Sequence, residues 1–99
     1  MNIQKETNGT ALKIALEGRL DTMTAPQLES ALNDGIENIT SLEFDFTKLD
    51  YISSAGLRVL LSAQKIINKQ NGKMVVRKVK PEIMEVFEIT GFVDILTIE

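Results

Sequence analysis

Asp50-Tyr51-Ile52-Ser53-Ser54-Ala55-Gly56-Leu57-Arg58-Val59-Leu60-Leu61-Ser62-Ala63 sets two adjacent hydroxyls where an extended segment gives way to an apolar helix. Upstream, Leu42, Phe44 and Phe46 alternate with Glu43 and Asp45, the period of two expected of a half-buried strand over 42–46. Downstream, Leu57, Leu60, Leu61, Gln64 and Ile67 fall near one face of a helix running from about Ser54 to Gln70, and Val59, Ala63 and Ile66 widen that face. Asn71-Gly72 ends it, because both residues accept the left-handed conformation found past a helix terminus. Lys65 and Lys69 suit the negative end of its dipole. The β-rich run 74–79 then supplies a second strand. Strand, helix and strand in this order predict a parallel pair joined by a right-handed crossover.

Working outward, Asn8-Gly9 between residues 2–7 and 10–17 predicts a hairpin with a type I′ turn, since both of its central positions need positive φ. Leu12, Ile14 and Leu16 alternate with Lys13, Ala15 and Glu17, so one face of this strand is buried and the other wet. Thr24-Ala25-Pro26-Gln27 reads as a helix start, with Thr as N-cap, Pro in the first turn and Gln closing a capping box. Leu28, Ala31, Leu32, Ile36 and Ile39 supply its apolar stripe, and Gly35 weakens the last turn. A third helix spans 81–90, begun by Pro81 and ended by Gly91, with Ile83, Met84 and Phe87 inward. A short edge strand over 95–98 closes the chain. The expected class is α/β: one domain over 1–99, a mixed sheet of four to five strands, and helices mainly on one face, because the charged strand faces point to water.

Composition removes several classes of function. The 99 residues are 43% hydrophobic and 25% charged, ordinary for one globular domain. Eleven basic against 14 acidic residues give a net charge of -3, which leaves no cationic surplus for the phosphates of a nucleic acid. Cys and His are absent, which excludes disulfides, the common zinc sites and any Ser-His or Cys-His nucleophile. No apolar run approaches the roughly 20 residues that span a bilayer, so the chain is expected to be cytosolic, without membrane insertion. The nucleophile-elbow pattern fails because Ile52 stands where its first Gly belongs. Gly72-Lys73 is followed by Met74 and lacks the upstream Gly of a phosphate-binding loop. No catalytic residue, metal ligand or cofactor site is expected.

A Ser at a helix start caps exposed N–H groups when unmodified and can carry a phosphoryl group when modified, because those N–H groups and the dipole favour an anion. Among the acids, Asp21 precedes the first helix, where Asp commonly bonds its own backbone in a turn. Asp45 is read as a wet-face strand residue and Asp50 as a solvated loop residue. Arg58 lies four residues after Ser54, on a neighbouring helical surface position, where it could pair with a phosphate on Ser54 or stand solvated without a role.

The run Ile52-Ser53-Ser54-Ala55-Gly56-Leu57 resembles the signature of the anti-sigma factor antagonist (STAS) family, in which an Asp-Ser-Ser/Thr-Gly-Leu turn leads into a helix and a partner kinase phosphorylates the Ser after the Asp. Aligned through Gly56 and Leu57, Ser54 takes the acceptor position, Ser53 replaces the Asp and becomes a rival acceptor, and Ala55 replaces the second hydroxyl residue. Gly18-Arg19-Leu20-Asp21 resembles the family's Gly-x-Leu-Asp motif, whose acid takes part in kinase contact. The likeness extends to Thr90-Gly91-Phe92 and covers nearly the whole chain. It implies a phosphorylation-controlled partner switch with no enzymatic activity. Unmodified, the protein would bind an anti-sigma factor that is itself a serine kinase; phosphorylated on Ser54, it would let go; a serine phosphatase would reset it. Asp21, Ser53, Ser54, Ala55 and Arg58 would form the docking face. The alternative the resemblance allows is a non-switching accessory subunit of a lipid or anion transport system.

Overall fold

The computed structural model describes residues 1–99. Strand β1 (Asn2–Asn8) returns antiparallel as β2 (Ala11–Leu20), with Asn8 opposite Ala11. The two-residue loop is therefore Gly9-Thr10 rather than Asn8-Gly9. Gly9 has φ 63° while Asn8 and Thr10 stay at negative φ. Positive φ at the first central position alone, filled by Gly, belongs to type II′ and not to the expected type I′.

Helix α1 (Ala25–Asn33) leads to β3 (Ser41–Ile52), which pairs parallel with β2. Ile36 and Ile39 are buried as expected, but from the loop, since the helix has ended before Gly35 at φ 125°. No basic residue lies in the last turn of α1; Lys5 on β1 supplies the cation, its Nζ donating to the carbonyls of Ala31 (2.8 Å) and Asp34. Strand β3 is 12 residues long, well beyond the expected 42–46. Its pairing with β2 shifts twice, so that Ala15 faces Asp45, Glu17 faces Lys48 and Arg19 faces Tyr51. Each shift places one extra residue on β3, a bulge that bends the strand and resets which residues point inward. Leu42, Phe44 and Phe46 are buried at spacing two, then Leu49 and Ile52 at spacing three.

Helix α2 (Ser54–Lys69), β4 (Lys73–Arg77), α3 (Pro81–Thr90), a 3₁₀ turn (Phe92–Asp94) and β5 (Thr97–Ile98) complete the chain. Asn71 at φ 60° turns the chain out of α2, and Lys78 at φ 59° ends β4 two residues before the expected boundary. Ile95 and Leu96 of the expected last strand instead close the 3₁₀ turn, their N–H groups donating to the Phe92 carbonyl, which leaves two residues paired with β4 at the edge.

The sheet order is β1-β2-β3-β4-β5, with only the first pair antiparallel. Three right-handed crossovers that each advance one strand in the same direction lay all three helices on one face. Burial agrees: Leu12, Ile14, Leu16, Leu42, Phe44, Phe46, Met74 and Val76 are buried, while Lys13, Glu43, Asp45 and Arg77 line the open side. In the core Phe46 meets Phe44 edge-on at 6.0 Å and Phe87 of α3 at 6.4 Å. On the open side Glu43 is bridged by Lys13 (3.5 Å) and Arg77 (2.8 Å), and Arg77 reaches Glu99 (3.1 Å). The hydrogen bond from Arg77 holds the Glu43 carboxyl below its ordinary pKa against the opposing effect of desolvation.

Candidate functional site

Parallel strands deliver their carboxyl ends to one edge, which brings together two segments distant in sequence. Arg19 pairs with Tyr51 and Leu20 with Ile52, and the Ser53 N–H donates to the Leu20 carbonyl at 2.9 Å. Asp21 and Ser53 are thus the first residues past two neighbouring strands.

Asp21 organises the turn into α1. Its Oδ1 accepts the N–H groups of Met23 (3.0 Å) and Thr24 (3.1 Å), and its carbonyl accepts that of Ala25 (2.8 Å). Thr24 occupies the N-cap position, but its hydroxyl points backward, accepting the Asp21 N–H (2.8 Å) and donating to the Arg19 carbonyl (2.7 Å). The expected capping box with Gln27 does not form: the Thr24 hydroxyl is turned back onto the Arg19 carbonyl, the Gln27 N–H donates to the Thr24 carbonyl (2.9 Å), and Asp21 Oδ1 takes the Thr24 N–H that the Gln27 side chain would serve. Desolvation pushes the Asp21 carboxyl up, yet the hydrogen bonds from Thr24 and Met23 and the charge of Arg19 outweigh it and hold the pKa below the ordinary value. Arg19 lies 3.7 Å from Asp21 Oδ2, and its guanidinium stacks 4.1 Å above the Tyr51 ring.

The two serines divide their roles. Ser53 is extended (φ -101°, ψ 175°) and caps α2, its Oγ accepting the Gly56 N–H at 3.4 Å. Ser54 is the first helical residue, exposed and outside that cap. Gly56 lets the helix start sit directly on the strand ends: a Cβ there would lie 2.7 Å from Leu20 Cγ and 3.0 Å from Ile52 Cγ1. Ala55, Arg58 and Val59 face Thr22, Pro26 and Glu29 across a groove of about 220 Å³ between α1 and α2. All five residues expected at the docking face therefore lie at this one edge; Ala55 and Arg58 line the groove, and Asp21, Ser53 and Ser54 lie outside it.

The other acids are accounted for elsewhere. Asp50 lies on β3, not in a loop, and pairs with Lys80 at 2.5 Å. Asp45 accepts the Thr47 hydroxyl (2.6 Å) and N–H (2.9 Å) on the open sheet face, which depresses its pKa. No cluster of three or more potential metal ligands exists, and no helix is long and apolar enough to cross a membrane. Sequence reasoning missed Met23, 82% exposed on the turn that Asp21 holds rigid, and the Arg19–Tyr51 stack. The stack follows from the β2–β3 register; nothing in the sequence marks Met23.

The profile of the STAS domain matches residues 2–99. The chain belongs to the STAS domain family. This STAS domain is 39% identical over 84 residues to BtrV of Bordetella bronchiseptica, a candidate anti-sigma factor antagonist, covering 84% of this chain and 72% of BtrV. It is 31% identical over 103 residues to the anti-sigma-B factor antagonist of Listeria monocytogenes, covering 100% of this chain and 90% of that one. Its fold is that of the Bacillus cell fate determinant SpoIIAA, solved in its phosphorylated form, with a TM-score of 0.78 at 20% identity over 99% of this chain and 91% of SpoIIAA. Anti-sigma factor antagonists are non-enzymatic regulators.

Proposed function

We propose that this STAS domain is an anti-sigma factor antagonist acting in the cytosol, which binds a serine-kinase anti-sigma factor while Ser54 is unmodified and releases it once Ser54 is phosphorylated. The observation that carries this reading is the division between the serines: Ser53 is committed to the cap, and Ser54 offers an exposed hydroxyl beside it. In the transfer, Ser54 Oγ bonds to the γ-phosphorus of ATP, the bond from that phosphorus to the β,γ-bridging oxygen breaks, and ADP departs. The hydroxyl proton passes to a base on the kinase. A serine phosphatase restores the hydroxyl by hydrolysis.

The phosphate adds about -1.5 to -2 charge at pH 7. At the start of α2, whose first turn has no acidic residue, it is stabilised by roughly 0.3–1 kcal/mol, so the domain keeps its fold. A partner surface packed against the neutral hydroxyl instead meets like-charge repulsion and desolvation of several kcal/mol per buried ion. Asp21, held ionised, and the groove residues Ala55 and Arg58 complete the docking edge around Ser53 and Ser54. Incubation with the kinase and ATP, followed by mass-spectrometric mapping, tests the assignment: label on Ser54 is expected, and label on Ser53 or none refutes it. A Ser54→Asp variant that still holds its partner in a pull-down would favour a stable accessory subunit of a transport system instead.

A further inference from the structure

Three arginines occur in the chain, and two are matched by carboxylates. Arg19 lies against Asp21 and Tyr51, and Arg77 bonds Glu43 and Glu99. Arg58 is exposed on α2 and has no ion pair, although Glu29 lines the same groove. Its location makes this notable, because the start of a helix is the positive end of its dipole and disfavours a cation. No carboxylate of the unmodified domain pairs with Arg58, which leaves its guanidinium open to a counter-charge from outside.

Arg58 is the fourth residue after Ser54 within α2, which places their Cβ atoms about 5–6 Å apart on one surface. A phosphate on Ser54 falls within reach of the guanidinium, whose planar fork matches two phosphate oxygens. We propose that Arg58 is an exchanged cation: before modification it pairs with a carboxylate on the serine-kinase anti-sigma factor that covers the α1–α2 groove, and after modification the phosphate on its own helix captures it. Phosphorylation then acts twice, adding a negative charge at the interface and withdrawing the positive charge that held the partner's acid. This inference rests on the function proposed above and specifies the chemistry of the partner's surface.

Genetic encoding of phosphoserine at position 54, in the otherwise unaltered chain and in Arg58→Gln, tests the capture without any kinase. Arg58 is exposed, so the Gln variant retains the fold. Phosphorus NMR titration of the phosphate, whose second pKa is ordinarily about 6, should give a value lower by about 0.5 unit or more with Arg58 present. That difference should shrink in about 1 M salt. Equal values in the two proteins overturn the capture. The unmodified pair is then titrated against the purified serine-kinase anti-sigma factor from the same genome. Arg58→Gln should bind roughly tenfold more weakly at about 50 mM salt, with the two affinities converging at high salt. Equal affinities at low salt overturn the docking half. Should the unaltered protein bind no such kinase, the proposed function fails, while the phosphate titration still decides whether Arg58 captures the modified serine.

Discussion

Replacing Gly56 by Ala sets two opposed effects against each other, and the geometry decides between them. Ala is favoured over Gly inside a helix by up to about 1 kcal/mol. The added methyl, however, would sit 2.7 and 2.9 Å from Leu20 Cγ and Cδ2 and 3.0 Å from Ile52 Cγ1. Carbon atoms are comfortable at about 3.5–4.0 Å, so the helix start or the strand ends must move by close to an ångström. Leu20 and Ile52 are both buried and have little room to yield. Overpacking of this kind costs about 1–3 kcal/mol, which leaves Gly56→Ala destabilised by roughly 1–2 kcal/mol. For a domain near 100 residues that is a fall in Tm of roughly 5–15 °C. Urea unfolding of Gly56→Ala, of Leu20→Ala and of the double variant makes the test specific, because removing Cγ and Cδ2 of Leu20 should abolish most of the Gly56→Ala penalty. A Gly56→Ala protein as stable as the parent, or a penalty unchanged in the Leu20→Ala background, would show that the close approach at the start of α2 is not what requires glycine.

Ser53→Ala removes the cap and should cost about 0.5–2 kcal/mol in urea unfolding, with Ser53→Asp recovering it; phosphate incorporation at Ser54 should persist in Ser53→Ala, and its loss would reverse the roles given to the two hydroxyls. Asp21, Glu43 and Asp45 all have carboxyl pKa values lowered in the folded state. Their stabilisation is therefore full above the unfolded values near 4 and is lost as pH falls through the lower folded values, so the urea midpoint should drop between about pH 5 and 3. A midpoint that held or rose on acidification would contradict those shifts. Met23→Ala should leave the unfolding midpoint within about 0.5 kcal/mol of the parent, yet weaken partner binding severalfold in calorimetry; unchanged binding would remove Met23 from the docking edge.

The helices were legible because their signals are local. Pro81 and Gly91 bracket α3 as the sequence predicts, and the apolar face from Leu57 to Ile67 marks α2. The strand β3 was legible only where its alternation is regular. Beyond Phe46 the two bulges change the inward spacing from two to three, and a period-two reading stops although the strand continues to Ile52. The turn into α1 defeated sequence reading for another reason. Asp21 and Thr24 are both competent caps, and which one serves depends on the Thr24 hydroxyl finding the Arg19 carbonyl. The serine pair and Asp21 were visible as motifs, but their adjacency is a product of parallel pairing between β2 and β3. The groove, the unpaired state of Arg58 and the exposure of Met23 exist only once α1 and α2 are packed side by side.

The opening hairpin also determines how the protein is best held in an experiment. Because β1 runs back along β2, Met1 lies beside Gly18, three residues before Asp21, so an affinity tag joined there crowds the surface whose binding is to be measured. The Gly9-Thr10 turn lies at the other end of β2, roughly 30 Å away at about 3.3 Å per residue, with open space around Gly9. The chain has no cysteine, so Thr10→Cys would create a single thiol for attachment to a surface or a dye. Immobilised by that thiol, the domain presents its serine edge outward to any partner passed over it.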